Sequence, residues 1–342
     1  MSFEEKNLEK EKSYTSTGEK LLSHQNAIVD LKNKKNHPIV LHIMPTETCN
    51  LRCIFCSVAQ RGERGELYPD LTMDQIKYVV EILKEKGLKA IILSGGGEPV
   101  IYPKINELIE YLHQGNLEIG LITNGVLLKD NIRKNNIDKL TWIRVSINSL
   151  DYLEKIILPE FNPKKTTFGM SYIWNLLSKE RFEKIEEEIK NISRKNKLEY
   201  IRLLPDCNLD DDNLEKEHKN LHKLAKELGE PYFHQYKIHE QPEECHLGRV
   251  HPVLYTDGMI YPCDSVVLNS PKDDKRFHKE YSLCKWNEVK EFFNKKIEGS
   301  LIDTNKCPNC VFARQNKLLK EIIYTRKKFK PSLKQLKHIN FI

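Results

Sequence analysis

The sequence predicts an α/β protein: a parallel sheet curved as a partial (β/α)6 barrel, followed by a small cysteine-rich α+β domain. Three observations carry this. Short apolar runs alternate with amphipathic segments about six times, the pattern of parallel strands joined by right-handed helical crossovers. Glycines, carboxylates and amides fall just after the apolar runs, where barrels of this kind place their ligands. The nine cysteines include one tight early triplet and a looser late set.

The first strand is expected at Ile39–Met44, followed by strands over 91–93, Glu118–Thr123, Trp142–Ile147, Thr167–Ile173 and Tyr200–Leu204. Between them, Thr72–Lys86 reads as a helix. Thr72 and Gln75 have capping-box spacing, and Ile76, Val79, Val80, Ile82 and Leu83 form an apolar stripe. Pro103–Gln114, Glu180–Lys195 and Asn213–Leu228 have similar patterns, while the stretch between Leu127 and Leu140 has no clear one. Asp210, Asp211 and Asp212 are expected to cap the helix after the sixth strand. Gly18–Lys32 reads as one helix leading into the first strand, and residues 1–17 are expected to be mobile.

The triplet is Cys49-Asn50-Leu51-Arg52-Cys53-Ile54-Phe55-Cys56. Three thiolates hold three irons of a cubane and leave the fourth open, and an open position on a metal is where chemistry occurs. Zinc normally takes four ligands in differently spaced pairs. The spacing, the Asn after the first cysteine and the aromatic before the third resemble the signature of the radical S-adenosylmethionine (SAM) enzymes. A second motif follows the second strand: Ser94-Gly95-Gly96-Gly97-Glu98-Pro99. Glycines there admit a ligand close to the backbone. Gly96, Gly97, Glu98 and Pro99 resemble the family's Gly-Gly-Glu-Pro motif, which binds the amino group of the methionine part of SAM.

The resemblance implies the partial barrel as the fold, with SAM and a [4Fe-4S] cluster as cofactors and Cys49, Cys53 and Cys56 as ligands. Asn124 follows the third strand, and the fourth carries Ser146 and leads into Asn148. The last two are candidates for the ribose or carboxylate of SAM, although Ser and Asn at strand ends also form turns. Backbone near Phe55 and Leu203 is the candidate adenine contact. No side chain stands out as a general acid or base. Tyr172, Arg202 and His234 are candidates for the substrate pocket, with no role assigned to any.

In the late set, Tyr255 to Cys263 reads as a hairpin around Asp257-Gly258. Cys245 and Cys263 flank it, and Cys307-Pro308-Asn309-Cys310 follows. Four thiolates so arranged describe a zinc ribbon as well as an iron–sulfur site. Placed after a radical SAM barrel, the set resembles the auxiliary-cluster domain called twitch, a shortened relative of the SPASM domain. That implies a second [4Fe-4S] cluster on Cys245, Cys263, Cys307 and Cys310, with Cys207 and Cys284 left over. The expected organisation is an N-terminal extension and helix over 1–37, the radical SAM barrel over 38–230, the auxiliary domain over 240–313 and a basic helix or tail over 314–342. The break between barrel and auxiliary domain is expected at Gly229–Gln241.

No apolar stretch approaches the roughly 20 residues that span a bilayer, and the Glu- and Lys-rich start is no secretory signal. Nine cysteines without a signal point to metal use in a reducing, cytoplasmic setting. The chain nets +6, but Arg314–Ile342 holds nine Lys or Arg against one Glu, so the rest nets −2. This tail reads as an amphipathic helix packed on the barrel. A contact for phosphate, nucleic acid or an acidic partner is the alternative.

The resemblance implies that a reductant such as flavodoxin or ferredoxin drives cleavage of SAM to a 5′-deoxyadenosyl radical, which takes a hydrogen atom from the substrate. The expected outcome is net oxidation of a small polar molecule, a sugar or nucleotide derivative, assisted by the auxiliary cluster, with no membrane involved. A peptide substrate is the alternative. About 38 residues precede the first strand, too few for a separate peptide-binding domain with its own core. From another class, a non-catalytic metal protein that binds nucleic acid explains both cysteine sets and the tail, but not Glu98 at its strand end. A simple electron carrier has no need of a barrel.

Overall fold

The computed structural model describes residues 1–56, 68–195, 197–237, 239–268, 280–307, 310–330 and 336–342. Within the expected auxiliary domain and tail, residues 269–279, Pro308, Asn309 and 331–335 lie outside the described residues, as does residue 238 of the expected interdomain break.

The six expected strands form. They are β1 (Val40–Ile43), β2 (Ala90–Leu93), β3 (Glu118–Thr123), β4 (Trp142–Ser146), β5 (Thr167–Trp174) and β6 (Leu198–Pro205), each parallel to the next. The stretch expected as a linker supplies a seventh, β7 (Tyr232–His234), parallel to β6. Three short strands, β8 (Val253–Leu254), β9 (Met259–Tyr261) and β10 (Cys284–Lys285), extend the opposite edge. β8 runs parallel to β1, and the β8–β9 hairpin and β10 are antiparallel. The sheet runs β10-β9-β8-β1-β2-β3-β4-β5-β6-β7 and does not close. Gly258 turns the hairpin at φ +76°, a conformation that glycine adopts without strain.

The helices are α1 (Phe3–Tyr14), α2 (Gly18–Leu21), α3 (Gln25–Lys32), α4 (Met73–Lys84), α5 (Ile105–Gln114), α6 (Leu128–Asn131), α7 (Lys134–Ile137), α8 (Ser178–Lys195), α9 (Asp211–Leu228), α10 (Ser265–Leu268), α11 (Val289–Asn294) and α12 (Ala313–Tyr324). Thr72 and Gln75 cap α4 reciprocally, and Asp210 caps α9 by accepting from the Asn213 amide. The segment without a clear pattern holds two single-turn helices, α6 and α7.

Strand periodicity divides the sheet into two faces. Leu41, Ile43, Ile91, Leu93, Ile119, Leu121, Ile143, Val145, Met170, Ile201 and Leu203 pack under α4, α5 and α8 as one apolar core. Alternate positions face the concave side, where His42, Arg144, Ser171 and Arg202 interrupt a second apolar cluster of Val40, Ala90, Ile92, Trp142 and Phe341. Each fully buried Leu or Ile contributes about 1.5–3 kcal/mol.

The N-terminus differs from expectation. Residues 1–17, expected without regular structure, hold α1, which Ser2 and Glu5 cap as a capping box. Asn7 then clamps the β7 backbone, donating to His234 O (2.9 Å) and accepting from His234 N (2.8 Å). The helix expected over Gly18–Lys32 breaks into α2 and α3 at residues 22–24. α12 packs on α3 with Leu319, Ile322 and Ile323 buried, as the amphipathic reading of the tail expects.

Asn7→Ala removes both bonds from a buried position and leaves the His234 amide and carbonyl unpaired. The expected loss is about 2 kcal/mol, read as a lower denaturation midpoint. A free N-terminal segment would give no change.

Candidate functional site

The turn after β2 passes beneath the loop that follows β1. Gly97 N donates to Thr46 O (3.1 Å) and Glu98 N to Thr48 O (2.8 Å). A Cβ on Gly97 would run into the carbonyl oxygens of Glu47 and Thr48. At this glycine it is the neighbouring loop that approaches closely, a backbone contact that sequence reasoning assigned to a ligand. Pro99 opens a single 3-10 turn over Pro99–Ile101, capped by Glu98. Gly96 lies beneath the Tyr255 ring, and Tyr255 donates to Glu47.

Glu98 is buried. Its Oε1 accepts from Thr123 Oγ1 (2.6 Å) and Val100 N (3.3 Å), and its Oε2 accepts from Asn124 N (2.7 Å). The carboxylate thus ties the end of β2 to the end of β3. Burial pushes its pKa up to about 7, against the pull of these three donors. Asn124 carries the chain of bonds onward. Its Nδ2 donates to Asn50 Oδ1 (2.7 Å), and its carbonyl accepts from Ser149 Oγ (3.0 Å).

Cys49, Cys53 and Cys56 are half-buried on the loop after β1, and Cys56 N donates to Cys53 O (3.1 Å) in a tight turn. Three neighbours hold this loop. Asn124 grips Asn50, Tyr152 Oη accepts from Ile54 N (2.8 Å), and Asn208 Nδ2 donates to Phe55 O (2.9 Å), with the Phe55 ring buried. Tyr152 and Asn208 escaped sequence reasoning, because lone polar residues in loops 98 and 153 positions away carry no local signal. Burial, with the charge of Asp206, pushes the Cys207 thiol up.

Ser146 ends β4 half-buried. Asn148 is fully engaged: it bridges Ile173 N and O (2.8 Å each) and donates to Asp151 (2.9 Å). Asp151 also accepts from Tyr172 Oη (2.8 Å) and Asn175 (3.0 Å). Asn148 and Tyr172 therefore brace the ends of β4 and β5, and Asn148 has little left for a ligand. His234 pairs with His218 (2.8 Å) and Asn7 on the far side of β7.

The late cysteines gather. Each of Cys245, Cys263 and Cys310 is buried and within electrostatic reach of another of the set, with Cys307 common to all three. Burial pushes the Cys245 thiol up to about 12, while a hydrogen bond from Cys310 lowers Cys307 to about 7. Cys310 Sγ accepts from Phe312 N (3.3 Å) and Asn316 Nδ2 (3.8 Å). The same Asn316, on α12, accepts from His246 N (2.7 Å) and Leu247 N (3.0 Å) just after Cys245. Sequence reasoning missed Asn316. Cys284 stands apart in β10, its thiol responding to burial, Glu288 and Lys295. Three buried thiols and the half-buried Cys307 beside them suit a group that takes thiolate donors from all four, although among the described residues no three Cys, His, Asp or Glu side chains stand where they could hold a metal ion.

A cavity of about 490 Å³ lies between the concave face, the N-terminal stretch and the start of α12. Arg202 lines it, and Tyr172 and His234 do not. Asp264 and Val311, next in sequence to Cys263 and Cys310, also line it, while the cysteines themselves do not. No helix among the described residues is long and apolar enough to cross a membrane.

Because Glu98 binds its proton more tightly in the fold than in the open chain, stability falls as pH rises from 4.5 to about 7. Glu98→Gln removes that slope. Thermal midpoints measured across this window are expected to converge or cross for the two proteins. Parallel curves would show that Glu98 does not titrate there.

The sequence model of the radical SAM superfamily matches residues 43–171, from the end of β1 into β5. The chain is similar to a GTP 3′,8-cyclase of Aquifex aeolicus, 34% identical over 140 residues, 39% of this chain and 41% of that protein. It is also similar to an S-adenosylmethionine-dependent nucleotide dehydratase of Lacinutrix mariniflava, 30% identical over 135 residues, 39% of this chain and 28% of that protein. The chain thus matches less than half the length of these relatives. In fold it resembles Streptococcus suis SuiB bound to precursor peptide SuiA (TM-score 0.51, 15% identity, 74% of this chain and 66% of that one). It also resembles anSMEcpe with bound AdoMet (TM-score 0.50, 16% identity, 75% and 78%). The family's cofactors are SAM and a [4Fe-4S] cluster, and the triplet loop, the Gly-Gly-Glu-Pro turn and Asn124 all lie within the matched span. The likeness to the radical SAM superfamily is thus carried by residues 43–171, the span that holds the cysteine loop and the glycine turn.

Proposed function

We propose that this protein is a radical SAM enzyme that takes a hydrogen atom from a small polar molecule, a sugar or nucleotide derivative, with net oxidation as the outcome. SAM with its cluster, when bound, would supply the abstracting radical, and a second cluster would supply an electron acceptor. Cys49, Cys53 and Cys56 would hold the first cluster. Glu98, with Gly96, Gly97 and Pro99 shaping its turn, would meet the SAM amino group, whose positive charge would favour the carboxylate that burial disfavours. Asn124 and Ser146 border the same strand ends, and Phe55 flanks them. In this reading Asn148 positions the β4 and β5 ends.

The observation that carries the reading is one cavity bounded by the barrel strands on one side and by neighbours of Cys263 and Cys310 on the other. A substrate there would lie between the strands that carry the SAM motifs and the late thiols, where an electron could leave it. Cys245, Cys263, Cys307 and Cys310 would hold the auxiliary [4Fe-4S] cluster, within the domain expected over 240–313. The nucleotide preference draws on the likeness of the barrel to a GTP cyclase and a nucleotide dehydratase.

Anaerobic reconstitution with iron and sulfide should load about eight irons per chain, the content of two cubanes. Dithionite and SAM should then yield 5′-deoxyadenosine, and Cys53→Ala should abolish that product. A mixture of ribonucleotides and nucleotide sugars should accelerate its formation. Bound zinc with no cleavage would overturn the enzyme reading, and acceleration by peptides alone would overturn the substrate class.

A further inference from the structure

Cations stand on the cavity wall at β4, at β6 and just after β7. Arg144 and Arg202 face the same side from β4 and β6, one strand apart. Their situations differ. The Arg144 guanidinium is engaged: Nε donates to Tyr200 Oη (3.1 Å), Nη2 donates to Tyr14 O, and the group lies 5.3 Å from the centre of the Trp142 ring. In Arg202, Nη1 donates to Gln235 Oε1 (2.9 Å), but Nε is sealed from solvent with no partner among the described residues. Burial and the charge of Arg144 both drive the Arg202 pKa down. Lys237 adds a third cation, lowered in turn by burial and by Arg202. Asp264, the carboxylate within reach of Lys237, is shared with His42 and His251.

The Arg202 guanidinium is half-buried, and its sealed, unpaired Nε–H is costly in the empty protein. Glu11, Glu19, Glu240 and Asp264 also line the cavity, but none of them acts on Arg202, whose charged neighbour is Arg144, and an anion placed there would relieve the cost. None of the residues considered for SAM lines this cavity, so the anion it suits is not part of SAM. Arginine's planar fork fits two-point binding of a carboxylate or phosphate.

We propose that Arg202, assisted by Lys237 and steadied by Gln235, binds an oxyanion group of the substrate, a phosphate or a carboxylate, inside the barrel cavity. The inference rests on the small-molecule reading above and narrows it to an anionic substrate. Arg144 shapes the site through its charge and its hold on Tyr14 and Tyr200. The N-terminal stretch from Ser13 to Lys20 forms part of the cavity wall.

The test is calorimetric titration of the full, anaerobically reconstituted chain with inorganic phosphate and, separately, with succinate. The parent and Lys219→Gln, on the exposed side of α9, are expected to bind one of the two anions alike. Arg202→Gln and Lys237→Met are each expected to bind it at least about tenfold more weakly. Tighter binding of phosphate assigns a phosphoryl group, and tighter binding of succinate assigns a carboxylate. If Arg202→Gln does not fold, Lys237→Met carries the comparison. No saturable binding of either anion to the parent, or equal binding by the folded variants, overturns the site. Formation of 5′-deoxyadenosine by the parent is read separately. Its absence would remove the radical reading while anion binding stood, and its presence without anion binding would remove the anion site alone.

Discussion

A buried carboxylate at the meeting of three strand ends organises this protein. Glu98 accepts from Val100 within its own turn and from Thr123 and Asn124 at the end of β3, while its amide holds Thr48 of the loop after β1. Asn124 then reaches Asn50 in the cysteine loop and receives Ser149 from the segment after β4. One acceptor-only group in a sealed place requires donors around it, and those donors come from neighbouring strands. The cysteine loop is thereby positioned by bonds outside itself, which is what a site built from separate strand ends requires.

The second constraint is the different chemistry of the two sheet faces. The helix-covered face is almost wholly aliphatic, so its burial drives folding. The concave face carries His42, Arg144, Ser171 and Arg202 at positions where the period-2 pattern would otherwise continue an apolar core. Charge at such positions weakens the fold unless something compensates it. Arg144 is compensated by Tyr200, Tyr14 and Trp142. Arg202 is compensated only in part. Stability is given up where the cavity lies, as functional sites often require.

The chain termini complete the enclosure. α1 is clamped to β7 through Asn7, and its end meets Arg144 through Tyr14. At the other end, α12 joins the late cysteines to the body through Asn316, which binds both Cys310 and the backbone after Cys245. β8 to β10 continue the barrel's own sheet from β1. The late cysteine region and the barrel therefore share a hydrogen-bonded frame, and a cavity that touches both is a consequence.

Local pattern was enough to define the six parallel strands, the capped helices α4 and α9, the Asp-Gly hairpin, the cysteine triplet and the Gly-Gly-Glu-Pro turn. Period, caps and spacing act over a few residues, and each of these is written within such a span. Four features depended on contacts distant in the chain. β7 is three residues long and becomes a strand by pairing with β6. The ordered N-terminal helix looks like a solvated polar segment until His234 is placed beside Asn7. The braces Tyr152, Asn208 and Asn316 are unremarkable loop and helix residues until folding brings them to the cysteines. Arg202 could be noticed in the sequence, but not that its Nε would be sealed without a partner, because burial and pairing depend on every element around the cavity and on none of them alone.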